Sequence, residues 1–295
     1  MVQLHKYSGA GNDFVVLDGR TEDVSAYRTP SAITALCSQY RTDGLMILTD
    51  DVDYDFRMEY YNSDGSGGMM CGNGGRCIVA FADALGIVAR NGDMFYFLAP
   101  DGPHTGEILA RDGNCKTVRL RMIDVRTFHP ALDGWFLDTG TRHFVRFVPD
   151  VEAVDVEEEG RKVRWDAAFA PVGANANFVS VGADGTLHVR TFEKGVEGET
   201  LACGTGITAA AIAAALNGGI SPEPPAASSP FPTLLTQSHG AGRSAGADFA
   251  ALKPGGTVHY DIQARIARLA VDFRPLPDGS GFTDVYLTGP AEEFA

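Results

Sequence analysis

Two of the five cysteines are set apart by their downstream neighbours: Cys71 opens CGNG and Cys203 opens CGTG, and each block leads into an apolar run, RCIVAFADALGI (76–87) and GITAAAIAAALN (206–217). Both runs have helical spacing. Each thiol therefore falls just before or at the first turn of a helix, facing unpaired backbone N–H groups and the positive end of the helix dipole. A thiol in that setting is expected to have its pKa drawn toward neutrality and its thiolate accessible. The same N–H groups can hold a carboxylate, and the glycines let a ligand approach the backbone more closely than any side chain allows. Cys37 and Cys115 lack such a setting and read as small core hydrophobes.

The two blocks belong to an internal repeat. SGAGNDFVV (8–16) precedes MCGNG (70–74), and TGTRHFVRF (139–147) precedes ACGTG (202–206); the interval is 57 residues from Phe14 to Cys71 and 59 from Phe144 to Cys203. A duplicated domain with a pseudo-twofold axis leaves such a trace. Halves facing each other across that axis would point both helix N-termini into one cleft, with a thiol on either side of its occupant. That arrangement suits inversion of a carbon centre, since one thiolate removes a proton from one face while the opposite thiol delivers another.

Competing chemistries find less support. The chain has no GxxxxGK[ST], and GAGNDF (9–14) lacks the third glycine of a dinucleotide fingerprint and leads into a strand. No CxxC pair occurs, and Cys71 with Cys77 has no second couple at ligand spacing, so neither a disulfide framework nor a metal site is expected. With five lysines in all and none in a recognisable cofactor setting, a pyridoxal phosphate enzyme is disfavoured and no cofactor is expected. A net charge of −14, from 38 acidic and 24 basic residues, repels nucleic acid and anionic membranes. The Lys-poor, Arg-rich balance fits either a salty environment or codon bias. The start, MVQLHKYSGAGNDF, has no apolar run of signal-peptide length, so a cytoplasmic location is expected.

Strands must hold these helices in place. FVVLDG (14–19), LMILTD (45–50), DFRMEYYN (55–62), KTVRLRMI (116–123) and HFVRFV (143–148) read as strands. Helical patterns are fewer: SAITALCSQYR (31–41) and the two runs behind the thiols. Strand outnumbers helix, which predicts an α+β protein. At 295 residues, 44% hydrophobic and 21% charged, the chain suits two globular domains. The expected division is 1–125 plus 288–295 around Cys71, and 126–287 around Cys203. Residues 221–250 carry five prolines in their first twelve positions and read as a low-complexity loop insertion.

NSDGSGGMMCGNGGRC (62–77), EKGVEGETLACGTG (193–206) and GAGNDF (9–14) together resemble the diaminopimelate epimerases, over nearly the whole chain except 221–250. The asparagine in CGNG, where the proline racemase relatives typically carry histidine, favours that branch. The resemblance implies two similar α+β domains, each a mainly antiparallel sheet rolled around a central helix. It also implies cofactor-independent interconversion of L,L- and meso-diaminopimelate, in lysine and peptidoglycan precursor synthesis, by a homodimer. Cys71 and Cys203 would be the acid-base pair. Substrate contacts would be Asn12, Asn62, Gly72, Asn73, Asn175, Glu193, Gly204 and Thr205, several through the backbone, with His143 and Glu193 tuning the thiols.

Two positions depart from the family pattern. Thr141 stands where asparagine is common, and Lys194 stands where arginine is common and would bind substrate through a point charge rather than a guanidinium fork. Both bear on the non-reacting end of the substrate. Two other readings stay open at this stage: a racemase of another amino acid on the same fold, and a non-catalytic amino-acid-binding protein, against which the retention of both thiols argues.

Overall fold

The computed structural model describes residues 2–68, 70–218 and 256–295, so the insertion expected at 221–250 lies outside the described residues. The chain divides into two compact units, Met1–Arg121 with Thr288–Ala295, and Met122–Leu287.

The first unit contains β1 (His5–Gly9), β2 (Asn12–Asp18), α1 (Pro30–Tyr40), β3 (Gly44–Thr49), β4 (Phe56–Asn62), α2 (Gly72–Ala84), β5 (Met94–Ala99), β6 (Gly102–Asp112) and β7 (Cys115–Arg121). The second contains β8 (Thr127–Ala131), β9 (Gly134–Asp138), β10 (Arg142–Phe147), α3 (Val156–Arg164), β11 (Asn175–Val181), β12 (Leu187–Glu193), β13 (Gly198–Thr200), α4 (Gly204–Leu216), β14 (Val258–Gln263) and β15 (Arg268–Pro275). The last strand, β16 (Phe282–Phe294), begins in the second unit and ends in the first. In the first unit β1 to β7 follow one another in sheet order, and the end of β16 pairs with both β7 and β1, closing an eight-stranded barrel. In the second the order is β16-β15-β14-β12-β11-β10-β9-β8, with the Val125–Phe282 bridge joining its ends.

Both units repeat one connectivity. Most neighbours are antiparallel, but β2–β3, β4–β5, β10–β11 and β12–β14 are parallel, and a helix fills each of those crossovers, as parallel pairing requires. The second helix of each unit is mainly apolar or small, α4 throughout and α2 apart from Asn73, Arg76 and Asp83, and so belongs inside the barrel. Residues 72–82 of α2 are all buried, against β1, β2, β3, β6 and β7. All of α4 except Thr205 is buried, against β9, β10, β11, β12, β14 and β15.

The helices α1 and α3 lie outside the sheets. Thr29 caps α1 by accepting from Ala32 N–H at 3.3 Å, with Pro30 at the first helical position, and Ile33, Leu36 and Cys37 face inward. The apolar spacing alone gave no sign of α3, because of the four residues VEEEGRKVR buries, Val156, Gly160, Val163 and Arg164, two are apolar side chains. Its end signals are nevertheless present: Asp155 caps it by accepting from Glu158 N–H at 3.0 Å, acidic residues fill its first turn and basic ones its last.

Candidate active site

Cys71 is the N-cap of α2, in extended backbone with φ −108° and ψ 154°. The Gly74 N–H donates to its Sγ at 3.3 Å, and the Tyr60 hydroxyl lies 3.9 Å from the sulfur. Tyr60 is boxed in, with Phe14 edge-on at 5.9 Å; a Cβ on Gly68 would fall 2.1 Å from its ring, so residue 68 has to be glycine for the ring to lie there. Burial pushes the Cys71 thiol up, while the Gly74 N–H, the Tyr60 hydroxyl and the Arg76 charge pull it the other way.

The amides expected beside Cys71 form a chain of hydrogen bonds. Asn73 donates to Asn12 Oδ1 at 2.6 Å, Asn12 donates to Asp43 at 3.2 Å, and Arg76 Nη2 donates to Asn73 Oδ1 at 2.9 Å. Arg76 is fully buried and also holds the Gly72 and Pro290 carbonyls. Asn62 sits at the end of β4 and donates to Ser66 Oγ at 3.0 Å. Gly72 and Asn73 open α2, both buried.

Cys203 is the N-cap of α4, with φ −106° and ψ 108°. Its Sγ lies 3.4 Å from Thr205 Oγ1, and Thr205 Oγ1 lies 2.9 Å from His143 Nε2. Burial pushes this thiol up strongly, and the Glu193 carboxylate adds to it through its charge and by accepting from the S–H; the Thr205 hydroxyl and Gly206 N–H oppose. The expectation that the helix N-termini draw both thiols toward neutrality is therefore not met in this state. The helix N–H groups act on both sulfurs, but desolvation outweighs them.

His143 is fully buried, and burial, reinforced by the Lys194 charge, lowers its imidazole to about 3 against the pull of Asn177. It reaches Cys203 through Thr205. Glu193, at the end of β12, accepts from Thr200 Oγ1. The Asn175 amide donates to the Arg142 carbonyl at 2.9 Å and accepts from the Lys194 N–H at 2.8 Å, tying the start of β10 to the turn that carries Glu193. Lys194 is half-buried, and Gly204 gives the first turn of α4 its carbonyl, which accepts from Thr208.

Three residues of these settings escaped the sequence reading: Tyr60, Arg76 and Asn177. A signal existed for two of them. Residues two apart on a strand share a face, so Tyr60 accompanies Asn62 on β4 and Asn177 accompanies Asn175 on β11. Arg76 was visible only as a charge near the start of a mainly apolar helix.

A barrel-wrapped helix, present once in each unit, defines the α+β fold, and in this chain each of those helices has a cysteine at its N-cap. The same fold occurs in a phenazine biosynthesis protein of the PhzF family from Bacillus anthracis, with a TM-score of 0.68 over 100% of this chain and 96% of that one, at 11% identity. The sequence model of the family described as diaminopimelate epimerase matches residues 4–116 and 135–229. The diaminopimelate epimerase of Flavobacterium psychrophilum is 41% identical over 215 residues, 72% of this chain and 81% of that protein. That of Chlorobaculum tepidum is 41% identical over 214 residues, 70% and 80% of the two chains. The chain belongs to the diaminopimelate epimerase family, and its enzyme class is that of an isomerase.

Proposed function

We propose that this chain interconverts L,L- and meso-diaminopimelate, within lysine and peptidoglycan precursor biosynthesis, with Cys71 and Cys203 as its acid-base pair. The observation that carries this reading is the recurrence of one arrangement, a cysteine at the N-cap position of a barrel-enclosed helix, in both units of a member of this family. In the forward step a thiolate takes the α-proton and the C–H electron pair passes into the carboxylate-stabilised carbanion. The other thiol then delivers its proton to the opposite face and becomes the thiolate, so the protein ends in the mirror protonation state. The two thiols supply both proton transfers, and the reaction as proposed draws on no cofactor.

The backbone N–H groups opening α2 and α4, at Gly72, Asn73, Gly204 and Thr205, suit the reacting carboxylate. The amides of Asn12, Asn62, Asn73 and Asn175, with Glu193 for an ammonium and Lys194 for a distal carboxylate, complete the proposed contacts. Each thiol has a neighbour for each of its states. Protonated Cys203 faces Glu193 as acceptor, and its thiolate faces the Thr205 hydroxyl as donor. Because burial disfavours both thiolates, the substrate ammonium supplies the positive charge that ionisation needs. A cytoplasmic homodimer is part of the same proposal.

The test is to incubate the protein with L,L-diaminopimelate in deuterated water. Label should enter one α-carbon as the meso isomer forms, and replacing either Cys71 or Cys203 by alanine should slow that conversion by roughly 10² to 10⁴. No incorporation, or conversion at the wild-type rate in either variant, overturns the proposal.

A further inference from the structure

Asn177 is fully buried, lies next to the Cys203 setting without touching the thiol, and is absent from every motif that singles out the site. Its Nδ2 donates to the Phe144 carbonyl at 2.9 Å, and its Oδ1 accepts from the Thr191 hydroxyl at 2.9 Å. A backbone carbonyl can only accept, so the atom facing it has to be the amide nitrogen, and the orientation of Asn177 follows from chemistry alone. That nitrogen also lies 3.0 Å from His143 Nδ1. Nδ1 must then be the bare, accepting nitrogen, which leaves the imidazole proton on Nε2.

The effect extends outward to the sulfur. His143 Nε2–H donates to Thr205 Oγ1 at 2.9 Å, occupying a lone pair of that oxygen and leaving the hydroxyl hydrogen for Cys203 Sγ, 3.4 Å away. We propose that Asn177 is a positioning residue: by fixing the tautomer of His143 it makes Thr205 a donor to Cys203 and so stabilises the thiolate of that cysteine. No proton moves along this chain; each hydrogen bond only orients the next. With the opposite tautomer, Thr205 would donate to His143 and the thiolate would lose that donor. The packing is built for it, since a Cβ on Gly206 would fall 2.3 Å from Asn177 Oδ1. The charged groups bearing on the chain are Lys194, which adds to the burial that keeps His143 neutral, and Glu193, the acceptor for the protonated thiol. The link to catalysis rests on the proposed role of Cys203; the tautomer and the thiol reactivity do not.

Long-range ¹H–¹⁵N correlation spectra of ¹⁵N-histidine-labelled full-length protein should show His143 as the Nε2–H tautomer near neutral pH. Alkylation of Cys203 by iodoacetamide, followed across pH by peptide mass spectrometry, should fall roughly ten- to hundredfold at fixed pH in Thr205→Val, the loss of one hydrogen bond to a charged sulfur. Thr205→Ser should restore it. Asn177→Leu should give a similar loss and mix the His143 tautomers. In Asn177→Leu with Thr205→Val, the loss should be no greater than in Thr205→Val alone, because both act through one hydroxyl. An Nδ1–H tautomer in the wild type, unchanged alkylation in Thr205→Val, or additive losses in the double variant overturns the proposal. None of these readouts needs turnover, so they stand or fall apart from the deuterium test of the epimerase reading. The wild-type spectrum and Thr205→Val also decide it should Asn177→Leu not fold.

Discussion

Tyr60 at one sulfur and Glu193 with Thr205 at the other give two cysteines in matching positions different company, and their reactivities should part accordingly. The Tyr60 hydroxyl and the Gly74 N–H are the donors drawing Cys71 down against its burial. Tyr60→Phe keeps the packed ring and removes only the hydroxyl, so alkylation of Cys71 at fixed pH should slow by roughly tenfold while that of Cys203 is unchanged. Equal rates at Cys71 in wild type and variant, measured by peptide mass spectrometry, would remove Tyr60 from the site. Lys194 offers a second case. Its backbone N–H is held by Asn175, so Lys194→Ala leaves that contact intact and removes the side chain beyond Cβ with its charge. The expected outcome is a raised KM for diaminopimelate with kcat little changed, and Lys194→Arg should sit at or below the wild-type KM; a wild-type KM in the alanine variant would mean the side chain does not meet substrate. The repeated motifs mark Cys71 and Cys203 in the sequence, and the resemblance to the family points to Glu193 and His143. Tyr60 and Asn177 carry no such mark, since Asn177 meets His143 across neighbouring strands and Tyr60 on β4 meets Cys71 at the start of α2, and the direction of the thiol pKa shifts was misread because burial is a property of the folded barrel rather than of the helix start.

Helices and strands that enclose these residues depend on close approaches that only glycine permits. In α3, a Cβ on Gly160 would fall 2.3 Å from Phe192 Cβ, immediately before Glu193 on β12. Gly160→Ala must push the helix off the sheet, costing about 1 to 3 kcal/mol, the usual range for overpacking. A melting temperature lowered by several degrees is the expected reading, and an unchanged one would show that α3 shifts freely. Close packing of this kind also separates the elements that the sequence revealed from those it hid. Strands β2, β3, β4, β7 and β10 lie within two residues of their expected bounds, because alternation and turn residues announce them. The inner helix α2 opens at Gly72, inside the glycine block itself, although glycine disfavours helix. Barrel packing decides there: Cβ atoms on Gly74 and Gly75 would meet Tyr60 at 3.3 Å and Leu120 at 2.8 Å. Such a preference for absence leaves no periodic signal to read.

For the whole molecule, two histidines with opposite shifts should shape how stability depends on pH. His259 donates from Nδ1 to Asp272 at 2.8 Å, with Asp261 at 3.6 Å from Nε2, and these carboxylates raise it from the ordinary 6.5 to about 9 despite burial. The folded state then binds a proton that the unfolded chain has released between those values, so this stabilisation is complete below 6.5 and is lost as pH rises toward 9. His143, lowered from 6.5 to about 3 by burial, works the other way. The unfolded chain binds its proton first, and stability falls as pH drops below 6.5. Carboxylates held low by ion pairs, Asp18, Glu59 and Asp83 among them, add their loss only further down, near their unfolded values. Buried thiols such as Cys77 and Cys203 join above their ordinary 9.0. Melting temperature should therefore peak near pH 6.5, each arm sloping by at most about 1.4 kcal/mol per pH unit for its one proton. His259→Gln should flatten the arm from 6.5 to 9 and leave the acid arm alone, while His143→Gln should flatten the arm between about 5 and 6.5. Thermal melts of the three proteins across that range decide it, and an alkaline arm that survives in His259→Gln would mean the Asp261 and Asp272 pair does not hold a proton on that ring.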